Sequence, residues 1–455
     1  MSAPEASLPL GRIVAYGAAG IGVTAMAFVN TLYLFKYSTD VLLIAPGVMG
    51  LLYGVARIWD AISDPLVGRL SDRTSSRLGR RRSWIFASIP ATAIAFVTLW
   101  TPPVGLGSIG LAIWVGAALL LFSTAQTMFS VPHFALGVEM TSAHHERTRV
   151  FGVRQLTGGT GLLVGLAAFY GLASSAEPRE FALPLTVCIA GGAALLTGLG
   201  IARLRERPEY QGRGGGDLRR AFWDVFRNPH ARILLAVYGI ESFGAASTGI
   251  LSVYVTQYIV KAPQEFYVVV LMFYIVPSFA IAPLWARVSR RMGKRRLWLW
   301  SMSAAAVAYV AHSFLGEGMI VFWCTISAIQ GATAGVGYVV GPSIKGDVID
   351  WDELQSGERK EGSYLAVWTF VQKSATGLSA ILLGFALQAV GFEPNAEQAK
   401  ATKVMILLLY GALPGACYAV GTFLLSRFQL NAREHAAVRA ELEARARARR
   451  PGSGG

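Results

Sequence analysis

The chain has 455 residues, of which 53% are hydrophobic and only 15% charged, with a mean hydropathy of +0.47. A soluble domain carries roughly 25% charged residues, so this composition excludes an ordinary soluble globular protein. The formal net charge of +14 does not point to nucleic acid, because the basic residues sit in alternate connections between apolar runs and leave no polar module to bind it.

Apolar runs long enough to cross a hydrocarbon core of roughly 30 Å recur along the whole chain. They predict about twelve transmembrane helices, near 13–36, 46–70, 83–101, 108–138, 150–174, 181–203, 232–258, 266–288, 296–315, 319–344, 362–390 and 403–428. The opening MSAPEASLPLGR lacks a basic n-region, and the run after it is too long for a signal-peptide core. The first helix is therefore expected to serve as the insertion signal. The second-to-third connection carries Arg69, Arg73, Arg77, Arg80, Arg81 and Arg82, and the fourth-to-fifth carries Arg147 and Arg149. The central connection carries Arg203, Arg205, Arg207, Arg213, Arg219, Arg220 and Arg227. The eighth-to-ninth carries Arg287, Arg290, Arg291, Lys294, Arg295 and Arg296. The connection TPPVGLGS, on the opposite side, has no basic residue. This bias predicts a multi-pass protein of the cytoplasmic (inner) membrane with both termini in the cytoplasm.

The organisation expected is a six-helix bundle at 1–203, a flexible Gly- and Arg-rich cytoplasmic linker at 204–231, a second six-helix bundle at 232–428, and a cytoplasmic tail at 429–455. The tail reads as a surface helix ending in disordered PGSGG. Cys188, Cys324 and Cys417 fall in apolar runs without CxxC spacing or a neighbouring histidine pair, so buried, inert thiols are expected. A repeat relates the halves. Arg77-Leu78-Gly79-Arg80-Arg81-Arg82-Ser83-Trp84 matches Arg291-Met292-Gly293-Lys294-Arg295-Arg296-Leu297-Trp298, at an offset of 293 − 79 = 214 residues. Parallel six-helix repeats are one of the symmetries of secondary transporters.

Charged residues inside apolar helices carry the chemistry. Asp60 and Asp64 are four apart in LLYGVARIWDAISDPLVGRL and so share one helical face. A carboxylate near the bilayer centre costs about 2.5–3.5 kcal/mol, and a stacked pair is tolerable if a cation sits between them or one takes a proton. Ser63 and Thr127 are candidate hydroxyl ligands, which makes Na+ a possible metal at Asp60 and Asp64. Two plainer readings compete: Asp60 pairs with Arg57, and Asp64, before Pro65, positions the basic loop. Lys373, in SYLAVWTFVQKSATGLSAILLG, is too deep to snorkel and should face a polar cavity or a carboxylate. Arg154 lies nearer the cytoplasmic end, where a snorkelling anchor is an equal reading. Gln126, Gln155, Gln257 and Gln372 offer hydrogen bonds to a polyhydroxylated solute, and Tyr33, Trp59, Phe134 and Trp368 offer stacking faces. The charged stretch from Lys345 to Gly362, with Asp350, Asp352 and Glu353, reads as a cytoplasmic connection whose acids pair with the basic loops or stand solvated. Gly79, Arg80, Arg81, Gly293, Lys294 and Arg295 are the gating-loop candidates on the basic side. No Walker loop, HExxH or Ser–His–Asp grouping occurs, so neither enzymatic chemistry nor ATP drive is expected.

These residues resemble a known family. Arg57-Ile58-Trp59-Asp60-Ala61-Ile62-Ser63-Asp64-Pro65 is similar to the second-helix motif of the glycoside–pentoside–hexuronide:cation symporters, the melibiose permease group of the major facilitator superfamily. The Arg/Gly repeat is similar to the superfamily's loop motif. Val131 to Met140, with Glu146-Arg147-Thr148 and Arg154, resembles the fourth-to-fifth helix region, and Asp347 to Gly362 the tenth loop. The resemblance implies a cation at Asp60 and Asp64 with Thr127 nearby, and Arg154 and Lys373 on the central cavity. Where melibiose permease uses a first-helix aspartate for sugar, the alignment has Thr24. A fourth-helix acid is replaced by Ser130, and a sugar-stacking tryptophan by Phe134.

The function expected is cation-coupled symport, by Na+ or H+, of a sugar, glycoside or related small polar solute, with no cofactor beyond the coupling ion. Alternatives are coupled transport of a lysolipid or other amphipath, proton-coupled export, and a non-transporting membrane sensor. The solute and the lipid bilayer are the expected partners, nucleic acid is not one, and the chain is expected to be monomeric.

Overall fold

The computed structural model describes residues 8–141, 144–204, 206, 218–358, 360–430 and 432–448. Arg205, Arg207 and Arg213 of the linker, Arg359 and the PGSGG terminus lie outside these residues.

Among the described residues the chain is helical, with no β-strand. The first crossing is α1 (Leu10–Ala18), α2 (Ile21–Val29) and two π-helical turns, Asn30–Leu34 and Tyr37–Val41. There follow α3 (Pro46–Arg73), α4 (Arg80–Trp100), α5 (Ser108–Glu139), α6 (His144–Ser174), α7 (Pro178–Ala202) and the short α8 (Leu218–Arg227). α9 (Pro229–Tyr254) ends in the π-helical turn Val255–Ile259. α10 (Tyr267–Ala280) and α11 (Ala282–Met292) form one apolar crossing bent by 49°. α12 (Lys294–His312), α13 (Ile320–Ser356), α14 (Glu361–Ala389), α15 (Lys400–Leu407), α16 (Leu413–Ser426) and α17 (Ala432–Ala448) complete the chain.

All twelve segments expected from hydropathy coincide with helices. Among the described residues nine spans are long and apolar enough to cross a membrane, or ten with the bent pair. The other two expected crossings are α3, whose apolar run is interrupted by Arg57, Asp60 and Asp64, and α12, which opens on Lys294-Arg295-Arg296. One boundary needs correction. The tenth helix was expected to end near 344, yet α13 runs on to Ser356 and stops at Gly357, whose φ of +73° provides a left-handed cap. Asp350, Asp352 and Glu353 therefore stand on a helix rather than in a loop. Charged residues end an apolar run without breaking a helix, and here they find lateral partners.

The chain forms two compact units. The first comprises Met1–Gly215, Pro263–Val268 and Gly377–Thr402, and the second Gly216–Ala262, Val269–Thr376 and Lys403–Gly455. In the first unit α4 packs on α5 and α7, α2 on α6, and α3 on α5, around Ile13, Tyr16, Phe129, Leu136 and Ile201. The end of α14 joins this unit through a glycine crossing with α3. A Cβ on Gly50 would lie 2.6 Å from the Ala380 carbonyl oxygen, and one on Gly54 2.7 Å from that of Gly377. Small residues let membrane helices approach closely, and dispersion there replaces the absent hydrophobic drive. Gly50→Val should cost about 1–3 kcal/mol through overpacking, read as a lowered melting temperature of the purified protein. In the second unit α9 and α12 both pack on α16, and α12 also on α13, around Trp298, Tyr364, Trp368 and Phe428.

The repeat is wider than the Gly79/Gly293 motif. The first and seventh crossings both end in a π-helical turn, then a non-glycine residue in the left-handed region: Leu43 (φ 59°) and Lys261 (φ 56°), 261 − 43 = 218 positions apart. The amides of Leu42 and Val260 donate five residues back, to Tyr37 and Val255, and those of Ile44 and Ala262 six back, to Ser38 and Thr256. A proline follows two residues on in one copy and one residue on in the other, at Pro46 and Pro263.

Candidate functional site

In the first unit, Asp60 and Asp64 project from one face of α3 toward Thr127 on α5. The Thr127 Oγ1 lies 2.9 Å from Asp60 Oδ1 and 3.0 Å from Asp64 Oδ1. Ser63 Oγ lies 3.3 Å from Thr127 Oγ1 and donates to the Asp60 carbonyl at 3.2 Å. Asp60, Ser63 and Thr127 are buried and Asp64 half-buried. The i, i+4 spacing stacks the two acids, and the α3–α5 packing supplies the hydroxyl between them. Thr127 has a single hydroxyl proton and can donate to one carboxylate at a time. Two carboxylates and two hydroxyls thus converge as an oxygen cluster of the kind that suits a hard cation.

Arg57 does not bond directly to Asp60. Its guanidinium donates to Tyr53 Oη at 2.6 Å and Thr31 Oγ1 at 3.3 Å, stacks 4.9 Å from the Tyr53 ring, and acts on Asp60 only through its field.

A second grouping in this unit joins α5 and α6. Arg154 lies with its guanidinium carbon 5.3 Å from the Phe134 ring centroid and 5.8 Å from that of Phe151, and the two rings are 5.2 Å apart. Phe134 is 45% exposed, so the cation–aromatic grouping is accessible. Thr24 on α2 faces Gly161 of α6. Thr24 and Ser130 are half-buried, and no polar contact among the described residues joins either to Arg154 or to the acid pair.

The second unit encloses a cavity of about 380 Å³. Gln372 of α14 is on its wall, and Trp368 lies one turn before it, buried. Lys373 is half-buried but does not line the cavity. The ionisable groups that do are Glu241 on α9 and Lys345 on α13, and sequence reasoning singled out neither. Glu241 is a lone acid within the apolar run of α9, so the rule that picks out Asp60 finds it too. Lys345 was read as the first residue of a loop because the apolar run ends there.

The two Gly–basic motifs are built alike. Gly79 (φ +105°) and Gly293 (φ +84°) both hold backbone conformations that favour glycine, each just before a helix start. Arg80 donates to Glu139 at 2.7 Å, and Lys294 to Asp347 at 2.8 Å. The acid comes from α5 in the first copy and from α13 in the second. Arg81 adds bonds to Asp72, to Glu139 at 3.3 Å and to Ser71 at 2.7 Å. The Glu206 carboxylate accepts from the amides of Arg80, Arg81 and Arg82 at 2.7–2.8 Å, capping α4. Glu206→Ala should cost about 1–2 kcal/mol of stability, measurable as a lowered unfolding midpoint. Arg295 bonds to the Ser426 carbonyl.

Asp347 of α13 thus pairs with a basic loop as expected, while Asp350 and Asp352 also reach partners on α17 and α14. Asp350 bonds to His435 at 3.0 Å and lies 3.8 Å from Arg439, both on α17. Asp352 bonds to the Tyr364 hydroxyl, which also accepts from Asn228 at 2.7 Å. The Glu353 carbonyl accepts from Gly357. The tail helix α17, read as a membrane-surface element, thus packs along the end of α13, with Val438 buried.

The fold and these sites define a multi-pass, all-α membrane transporter. The family described as MFS/sugar transport protein matches residues 15–432, and the chain belongs to it, the glycoside–pentoside–hexuronide:cation symporter branch of the major facilitator superfamily. The inner membrane symporter YicJ of Escherichia coli (strain K12) is 26% identical over 413 residues, 87% of this chain and 86% of that one. The isoprimeverose transporter of Lactiplantibacillus pentosus is 24% identical, over 82% and 79% of the two chains. Among solved structures, the nucleoside transporter NupG superposes with a TM-score of 0.70 at 12% identity, covering 93% of this chain and all of that one. A D-xylose–proton symporter superposes with a TM-score of 0.65 at 13% identity, covering 93% and 98%. These two show the fold.

Proposed function

We propose that the chain imports a sugar or glycoside by alternating access, driven by a cation bound at Asp60 and Asp64. The observation that carries this reading is the oxygen cluster of Asp60, Asp64, Ser63 and Thr127 within a membrane crossing. Sodium fits it best, because it seeks several oxygen ligands and two carboxylates with two hydroxyls supply them, whereas a proton needs one carboxylate alone. A proton is the second reading, favoured by Ser130 standing where the resemblance places an acid.

Arg154 and Phe134 hold the solute in the first unit, through charge-assisted hydrogen bonds and ring stacking, and Gln372 and Trp368 serve the second. Lys373 of α14 is a further candidate contact for the solute. Two six-helix halves, 1–203 and 232–428, carry the transport cycle, with both termini cytoplasmic. The Gly79–Arg80–Arg81 and Gly293–Lys294–Arg295 networks hold one state of the cycle. The resemblance to glycoside symporters and the isoprimeverose transporter supports a sugar-like solute.

A thermal-shift screen of hexoses, pentosides and uronates, with and without sodium, tests the reading. Ligands that bind the folded state raise its melting temperature by mass action. A sugar whose shift requires sodium is the expected result, and an amphipath that shifts it while no sugar does would displace the reading.

A further inference from the structure

Tyr53, Arg57, Asp60 and Asp64 follow one another at spacings of four, three and four residues, so they form a single stripe along α3. The stripe reads ring, cation, acid, acid. Facing it on α5, Ser123 and Thr127 are also four apart, and the Thr127 hydroxyl stands between the two acids. Arg57 is half-buried one turn from Asp60, yet among the described residues no ion pair joins it to an acid. Its Nη2 is held instead by two uncharged oxygens, Tyr53 Oη at 2.6 Å and Thr31 Oγ1 at 3.3 Å. Arg57 also lines a pocket of about 20 Å³ whose other polar residues, Asn30, Tyr53, Ser123 and Gln126, include no acid. The guanidinium charge is therefore fixed beside the acid pair, is not cancelled by contact, and acts on Asp60 through space.

An oxygen cluster of two carboxylates and two hydroxyls has no preference of its own for a monovalent ion, because carboxylate-rich oxygen sites are what calcium binds. We propose that Arg57 is the valence filter of this site: its fixed positive charge admits a monovalent cation at Asp60 and Asp64 and excludes a divalent one. Repulsion grows in proportion to the charge of the arriving ion, so a divalent ion meets twice the repulsion of a monovalent one. Side chains three apart on a helix have Cβ atoms about 5–6 Å apart, and an arginine held aside puts its charge roughly 8 Å from the site. Through an effective dielectric of about 20, one unit charge at that distance disfavours a divalent ion relative to a monovalent one by about 30-fold. Holding Arg57 off Asp60 serves the same end. Bonded directly, it would occupy a carboxylate oxygen that the cation needs; held by Tyr53 and Thr31, it supplies its field and leaves that oxygen open. This inference rests on the reading of Asp60 and Asp64 as the cation site and deepens it by naming the residue that selects the charge of the ion.

The test is displacement of radiolabelled sodium by calcium from the purified full chain in nanodiscs, at constant ionic strength. Calcium has nearly the radius of sodium, so the comparison isolates charge from size. In the wild type calcium should bind more weakly than sodium. Arg57→Gln removes the charge and should strengthen calcium relative to sodium by at least about tenfold. Arg57→Lys keeps the charge and should leave the ratio within about threefold of wild type, which separates the field from the packing of the side chain. An unchanged ratio in Arg57→Gln, or the same rise in Arg57→Lys as in Arg57→Gln, would overturn the proposal. So would calcium that binds the wild type as tightly as sodium, a result that needs no variant to fold. Sodium binding in the wild type with an unchanged ratio in Arg57→Gln defeats this inference alone, whereas no sodium binding in the wild type defeats the sodium reading of the acid pair as well.

Discussion

Asp60→Asn is expected to abolish cation-driven accumulation of solute while the protein still folds and inserts. The substitution removes one of two carboxylates that converge on Thr127. Losing a charge-assisted ligand worth roughly 3 kcal/mol lowers cation affinity by about 100-fold. Folding should survive, because removing an intramembrane charge saves part of the 2.5–3.5 kcal/mol its insertion costs, on the order-of-magnitude insertion scale. The predicted phenotype is therefore split. In proteoliposomes, equilibrium exchange of solute persists and uphill uptake is lost. Asp64→Asn should act the same way, and Thr127→Val, which deletes a neutral oxygen from the cluster, more mildly, by about tenfold. Undiminished accumulation in Asp60→Asn would remove the coupling role from this pair.

The second large effect is Glu139→Ala. Arg80 and Arg81 are buried, with 6% and 7% exposure, and both donate to the Glu139 carboxylate. Breaking a buried ion pair from one side leaves charge uncompensated and costs about 3–5 kcal/mol. Asp72, which also reaches both arginines, moderates the loss without replacing the Glu139 Oε1 that accepts from both. The equivalent change in the other copy, Asp347→Ala, should cost less than about 1 kcal/mol, because Lys294 is 39% exposed and water replaces its partner. Chemical unfolding of both variants in the same detergent measures the contrast. Equal losses would mean that the repeat is energetically as well as structurally symmetric.

The helices were legible because membrane crossing imposes a length and an apolarity that a hydropathy reading detects directly. α3 was legible despite its charges, since Asp60 and Asp64 are conspicuous inside an apolar run and their i, i+4 spacing places them on one face. Thr127 entered as a nearby hydroxyl and, from the family resemblance, as a neighbour of the pair, and the fold puts its oxygen between the two. What stayed illegible depends on distant pairing. Nothing local in Glu206 announces that its carboxylate caps α4, more than a hundred residues earlier in the chain. The pairing of Arg80 with Glu139, and of Lys294 with Asp347, needs two helices to be placed side by side before it exists. The extension of α13 to Ser356 was hidden because hydropathy reports where an apolar run ends, while a helix ends where its backbone bonds end. That same error concealed Lys345 as a cavity residue. Glu241 is a lone acid in the apolar run of α9, and one acid without a neighbour at i+4 makes no pattern.

The most direct test of the central claim is equilibrium binding of radiolabelled sodium to the purified chain. The wild type is predicted to bind about one sodium per chain, with affinity lowered by about 100-fold in Asp60→Asn. Sodium binding that is the same in wild type and Asp60→Asn would contradict the account.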